Sequence, residues 1–369
     1  MNTFEKILAL LRCELWGEPL ACEVTADDID GILAMAEEQG VSGLVANAII
    51  SSSLPIGEEK TVDVCTVQRL HELKCRDMDK MVGRFAGFLN RRELKYVVMK
   101  GQMMAALYPH PQMRSCGDID FYCPKESFGE VQKAIEERLG VEMQHNEEEK
   151  HDTFKLEDIH FEMHRYLTGL SSSKHKRYWE KEIEGDSVYF SCHQEINGVK
   201  VATCSPTLNA LFIFVHLFRH FTAEGEGLRH FCDWAMVLHR GRGEIDVKEL
   251  EKHLVNIGCY KAYRVMGSWL VNILGLPGED FPFPFEKEDA KWHSVISNNI
   301  VKMGNLGKKD KKDAKEGHNF INRLSIWVAM KQAATFYPLA PGEILKQIPR
   351  MIAFSAKLRL SQLFSWEGK

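Results

Sequence analysis

The sequence predicts an α+β protein, with a small mixed β-sheet core preceded by helices and followed by an all-helical region. Three observations predict it. The first ninety-odd residues place apolar side chains at helical three-to-four spacing, short β-branched runs then alternate with helical stretches, and helical patterning returns at Ser205. The middle order, strand, helix, strand, helix, strand, strand, marks an α+β or α/β unit of modest size. The expected units are residues 1–94, 95–204 and 205–369.

MNTFEKILALLRCELWG interrupts its apolar residues with Glu5, Lys6, Arg12 and Glu14, so it reads as an amphipathic helix and not a signal peptide. TADDIDGILAMAEEQG offers Thr25 as a cap, acidic residues in the first turn and a stop at Gly40. VSGLVANAII and the stretch from Thr61 to Asn90 continue the helical pattern. KYVVMKG is a short strand ended by Gly101, followed by a short helix that Pro109 stops. DIDFYC is the next strand, ESFGEVQKAIEERLG a helix ending at Gly140, and VEMQH a third strand. HDTFKLEDIHFEMHRYL reads as two strands joined near Glu157–Asp158, with SVYFSC and VKVATC as further strands extending the sheet or forming a hairpin. In SPTLNALFIFVHLFRHF, Ser205 is a cap and Pro206 takes the first helical position, where proline is favoured. Four or five more helices follow. LPGEDFPFPFEK reads as a proline-rich connector, and GKKDKKDAKEG as a solvated loop of balanced charge.

The chain has 369 residues, 44% apolar and 27% charged, the composition of a soluble globular protein. Its net charge of −5 argues against a dedicated nucleic-acid binder. Ten cysteines are scattered without a CxxC pair, a pattern that favours reduced thiols. No stretch reaches the roughly 18 apolar residues needed to span a bilayer. A cytoplasmic location is expected.

The chemistry concentrates in CGDIDFYCP. Asp118 and Asp120 flank one isoleucine in a strand, so side-chain alternation sends both carboxylates to one face. Like charges so placed repel unless a cation lies between them. Mg²⁺, or Mn²⁺ in its place, suits the role, since one or two carboxylates, water and substrate phosphates hold it. Upstream, Lys100 and Gly101 stand at a strand-to-helix turn where a glycine lets the backbone approach an anion. The chain returns through Arg114 and Gly117, so anion donors face a carboxylate pair across a small cleft. Glu162 in IHFEMHRYL is the candidate third carboxylate, with Asp158 in reserve. Metals and anion donors together are the parts that phosphoryl or nucleotidyl transfer needs.

MKGQMMAALYPHPQMRSCGDIDF, followed some forty residues later by HFEMH, resembles the DNA polymerase beta-like nucleotidyltransferase superfamily. It is most similar to a bacterial family of uncharacterised nucleotidyltransferases, whose Lys-Gly turn, Tyr-Pro, Arg and Gly-Asp-x-Asp are matched by Lys100, Gly101, Tyr108, Pro109, Arg114, Gly117, Asp118 and Asp120. Better-known superfamily members carry Gly-Ser or Gly-Gly at the turn, where this chain has Gly101 followed by Gln102 and so lacks the serine hydroxyl. The resemblance implies Mg²⁺-dependent attack of an acceptor hydroxyl on the α-phosphate of a nucleoside triphosphate, with release of pyrophosphate. Asp118, Asp120 and Glu162 would hold metal. Lys100, Gly101 and Arg114 would bind the triphosphate, with Gly117 beside them and His164 as a supporting or phosphate-side donor. The acceptor is not specified.

Other readings stand beside this one. A protein of the same fold could bind a nucleotide or partner without turnover. His160, Glu162 and His164 alternate on one strand face and could hold a transition metal in a hydrolase. His216 and His220, four apart on a helix, read as packed residues. The resemblance also places them, with Arg229 and Asp233, on the far wall of the cleft, although Arg229 and Asp233 could equally form a structural ion pair. Cys116 and Cys123 read as packing residues.

Overall fold

The caps explain the helical first quarter. In the computed structural model, which describes residues 1–146, 151–223, 225–304 and 330–349, the Asn2 side chain accepts from the Glu5 N–H and opens α1 (Thr3–Trp16). Thr25 shares a capping box with Asp28, whose Oδ2 accepts from both the Thr25 N–H and its hydroxyl. A short 3₁₀ turn there leads into α2 (Ile29–Glu38), and α3 (Ser42–Ser51) and the 34-residue α4 (Gly57–Asn90) follow. The second half of α4 buries Met78, Met81, Val82, Phe85, Ala86 and Leu89, a stripe at helical spacing.

That stripe carries the sheet. β1 (Val97–Met99), the short α5 (Gly101–Ala105), β2 (Ile119–Tyr122), α6 (Lys125–Leu139), β3 (Gln144–Asn146), β4 (His151–Leu156) and β5 (Ile159–His164) give the order β1-β2-β5-β4-β3. β2 and β5 are parallel and the other pairs antiparallel, so the sheet is mixed. One face is aromatic: Phe85 of α4 meets Phe121 and Phe161 at ring-centroid distances of 4.9 and 4.8 Å, and Phe154 stacks on Phe161 at 4.7 Å. With that face buried, alternation sends Asp120, Glu162 and His164 to the other side. The hairpin of β4 and β5 turns at Glu157–Asp158, as the sequence predicts, and Leu156 pairs with Ile159.

Three elements depart from the sequence reading. First, α7 (Ser173–Glu182) lies in a stretch with no apolar stripe to announce it. Second, SVYFSC is not a strand, because Ser187–Phe190 forms a 3₁₀ turn. Asp186 caps it by accepting from the Val188 N–H, and the Tyr189 hydroxyl meets His253 Nε2 at 2.7 Å. The hairpin is instead β6 (Cys192–Ile196) with β7 (Val199–Thr203), a separate two-stranded sheet. Asn197 and Gly198 take φ of 51° and 74°, the left-handed pair that a two-residue hairpin turn requires, and the turn fixes the register.

Third, the expected connector LPGEDFPFPFEK packs, with Phe281 and Phe283 buried. The charged run at residues 307–317 lies outside the described residues. The Ser205 hydroxyl accepts from the Leu208 N–H at the start of α8 (Pro206–Ala223), as expected. Then come α9 (Leu228–Arg240), α10 (Val247–Asn256), α11 (Tyr260–Trp269) and α12 (His293–Met303). One hydrophobic core runs from Phe4 to Ile344 and joins the early helices, the sheet and the late helices. All ten cysteines are free thiols. Among the described residues no helix is long and apolar enough to cross a membrane.

Candidate active site

The turn after β1 positions the first functional group. Lys100 has φ 52° and ψ −143°, and Gly101 follows with φ 41°. Two consecutive positive φ values reverse the chain sharply into α5, and at Lys100 they hold a non-glycine residue in a sparsely populated region. A Cβ on Gly101 would stand 3.5 Å from the Asp118 carbonyl oxygen, so it is the dihedral and not space that calls for glycine. Lys100 Nζ lies 3.2 Å from Asp120 Oδ1 and 5.9 Å from the centre of the Phe212 ring on α8.

The parallel pairing of β2 with β5 places Asp120 directly opposite Glu162. His164 Nε2 bridges them, at 3.0 Å from Asp120 Oδ1 and 3.3 Å from Glu162 Oε2. An ionised carboxylate only accepts, so this nitrogen carries the proton and donates. Burial opposes a charge on His164, but its contacts with Asp120 and Glu162 outweigh burial and raise its pKa. Burial also opposes a charge on Asp120, yet Lys100 and then His164 hold its carboxyl below the usual range. Asp118 behaves oppositely. It is exposed at the mouth of β2, and partial desolvation, then Glu162 and Asp120, raise its pKa. One carboxylate neutralised by a lysine and a histidine thus neighbours one on which desolvation and the nearby acidic groups outweigh the weaker influence of His160 and Lys74. Asp118, Asp120 and Glu162 are oxygen donors of the kind a hard divalent cation takes; Asp120 and Glu162 are register partners, and Asp118 stands exposed just before β2. Gly117 is exposed, and a Cβ there would meet nothing within 4 Å, so the approach to Asp118 is open.

Arg114 does not join this cluster. The sequence reading puts it at the triphosphate, but its guanidinium is buried against Asp233 of α9 in a bidentate pair, both contacts 2.7 Å long. The Tyr108 hydroxyl donates to the same carboxylate at 2.7 Å. Two residues of the sequence motif therefore clamp the β1–β2 connection onto α9. Asp233 pairs with Arg114 and not with Arg229, whose guanidinium reaches His230 Nε2 at 3.4 Å. Arg114 holds the Asp233 carboxyl below its ordinary range against the cost of burial. Gln102 is also turned away: its amide nitrogen donates to Asp79 of α4 and its carbonyl accepts from the Cys116 thiol.

His216 and His220 lie side by side with ring centroids 4.6 Å apart and planes tilted by 58°, and His230 of α9 lies 5.6 Å from His216. Burial, with the charge of Lys100 among the lesser causes, keeps both neutral; His220 is held down at about 4. Asp158 sits exposed at the hairpin turn facing Lys155, and His160 is exposed. The histidine that the sequence reading missed is His151, which β4 places directly opposite His164. A turn at Glu157–Asp158 already implies that pairing. Cavities of about 390 and 480 Å³ lie elsewhere, the first lined by Phe85, Phe88 and Val199, the second by Glu14, Trp16 and His110.

A family model for uncharacterised nucleotidyltransferases matches residues 25–274. The chain belongs to this family. Membership in a nucleotidyltransferase family supports a general role in nucleotidyl transfer. Among solved structures, an antigenic nucleotidyltransferase-like protein from Paracoccidioides brasiliensis is similar at 16% identity and a TM-score of 0.34, covering 54% of this chain and 92% of that one. No curated protein matches the chain.

Proposed function

We propose that the protein moves a nucleoside monophosphate from a nucleoside triphosphate to a hydroxyl acceptor, with Mg²⁺ bound and pyrophosphate released. Its core would be a polymerase beta-like module at about residues 95–204, between an N-terminal helical region and a C-terminal helical domain. One observation carries the reading: Asp120 and Glu162 stand opposite each other on parallel strands, with Asp118 exposed beside them and Lys100 within 3.2 Å of Asp120.

Asp118 and Asp120 would hold the metal and Glu162 would complete the set. Bound Mg²⁺ supplies neutralisation of the phosphate charge. The His164 N–H, within reach of Asp120 Oδ1 and Glu162 Oε2, ties the two carboxylates together across the strand pair. Lys100 neutralises Asp120 while no cation is present. With a cation neutralising Asp120, the Lys100 ammonium would be available to phosphates at the Gly101 backbone. Arg114 acts at a distance, holding the chain that leads into Gly117 and Asp118.

A nucleotide-binding protein without turnover is the second reading, favoured by the Lys100–Asp120 contact, which turns the lysine toward the carboxylates. Calorimetric titration with a nucleoside triphosphate tests both. The proposal expects Mg²⁺-dependent binding that Asp118→Ala/Asp120→Ala abolishes; binding unchanged in the double variant would overturn it.

A further inference from the structure

Beside the acidic pair lies a second donor set of different chemistry. His151 of β4 and His164 of β5 are register partners with ring centroids 5.1 Å apart, and Glu162 shares their face. One ligand atom from each lies within 4.8 Å of the others. Glu162 Oε1 is 3.9 Å from His151 Nε2, and Glu162 Oε2 is 3.3 Å from His164 Nε2, so the carboxylate already sits between the two imidazoles. The side chains are 15%, 30% and 14% exposed for His151, Glu162 and His164, so each donor is partly buried and still reaches solvent.

Two nitrogens and a carboxylate do not make a magnesium site. Mg²⁺ demands near-octahedral oxygen ligands and keeps its waters, whereas imidazole suits Zn²⁺, Cu²⁺, Fe²⁺ and Ni²⁺, for which Co²⁺ is a spectroscopic stand-in. The donors stand on adjacent hydrogen-bonded strands, so their spacing is set by the sheet and not by a loop. His160, the histidine that sequence alternation offers for such a site, is exposed and pairs in register with Lys155.

We propose that His151, Glu162 and His164 bind a resident first-row transition ion, which takes the place of the proton on His164 Nε2 and releases it to solvent, next to the position that Asp118 and Asp120 offer to Mg²⁺. Glu162 then serves this ion through one oxygen and keeps the other for the ion that Asp118 and Asp120 would hold with the triphosphate. This inference does not rest on nucleotidyl transfer, and its test uses no nucleotide.

The experiment strips the full chain with a chelator and titrates it with Co²⁺, following visible absorption. One equivalent is expected to give a spectrum more intense than that of aqueous Co²⁺, displaced by stoichiometric Zn²⁺ and retained in excess Mg²⁺. His151→Ala is expected to weaken Co²⁺ binding at least tenfold, since loss of an outer partner alone costs about 10- to 100-fold. His160→Ala is expected to bind as the wild type does. Absence of the spectrum, displacement by equimolar Mg²⁺, or unchanged binding in His151→Ala would overturn the assignment. The competition between Mg²⁺ and Co²⁺ on the wild type decides it even where a variant fails to fold.

Discussion

Replacing Arg114 with methionine separates two roles that the sequence motif leaves combined. The guanidinium makes two 2.7 Å contacts to Asp233, whose side chain is 3% exposed. Methionine fills most of the volume but leaves a buried carboxylate with only the Tyr108 hydroxyl as a direct donor. Breaking a buried ion pair by removing one partner costs about 3–5 kcal/mol. At about 2–4 °C per kcal/mol, the midpoint of thermal unfolding should fall by about 6–20 °C. Removing the orphaned charge as well, in Arg114→Met/Asp233→Leu, should restore part of that loss, leaving the cost of an unpaired tyrosine hydroxyl at about 1–3 kcal/mol. Urea unfolding of the three proteins measures the stabilities, and nucleotide titration of the folded variants measures function. The reasoning is refuted if Arg114→Met loses less than about 1 kcal/mol while its triphosphate affinity collapses, for the arginine would then face the ligand.

Two further outcomes follow from the packing. Phe85→Ala removes the ring that Phe121 and Phe161 close around, and should cost about 3–5 kcal/mol in urea unfolding with the circular dichroism spectrum retained; a cost below about 1 kcal/mol would mean that α4 does not seat on the sheet. Burial pushes the Glu184 carboxyl up to about 7, against the bonds it accepts from the Leu167 N–H and Trp179 Nε1. The folded state therefore holds this proton more tightly than the unfolded chain. The associated stability is present below about pH 4 and is lost as pH rises to about 7, amounting to about 2 kcal/mol after discounting partial exposure. Glu184→Gln should flatten that decline, and a parallel pH profile would contradict it.

The elements that position the site were legible because local signals and burial agree there. The β4–β5 turn, the Gly140 stop and the Pro206 start each combine a turn or cap residue with a change of period. SVYFSC failed because its β-branched and aromatic residues imitate a strand, while the deciding signal, Asn197–Gly198, lies downstream. α7 failed because its polar sequence offers no stripe.

The candidate site divides the same way. Alternation alone sends Asp118, Asp120, Glu162 and His164 to one side, and in the structure His164 contacts both Asp120 and Glu162. Arg114 was misplaced because a motif records which residues recur and not which way they point, and Asp233, 119 residues downstream, supplies the direction. His151 needed the hairpin register as well as the alternation. The turn at Glu157–Asp158 contained that information.

The most direct test of the central claim is label transfer from α-phosphate-labelled nucleoside triphosphates in Mg²⁺, with small molecules from a cell extract and the protein itself as acceptors. The account predicts pyrophosphate release and an acceptor carrying the labelled α-phosphate with the wild type, and neither with Asp118→Ala/Asp120→Ala. Equal transfer by the double variant would contradict it.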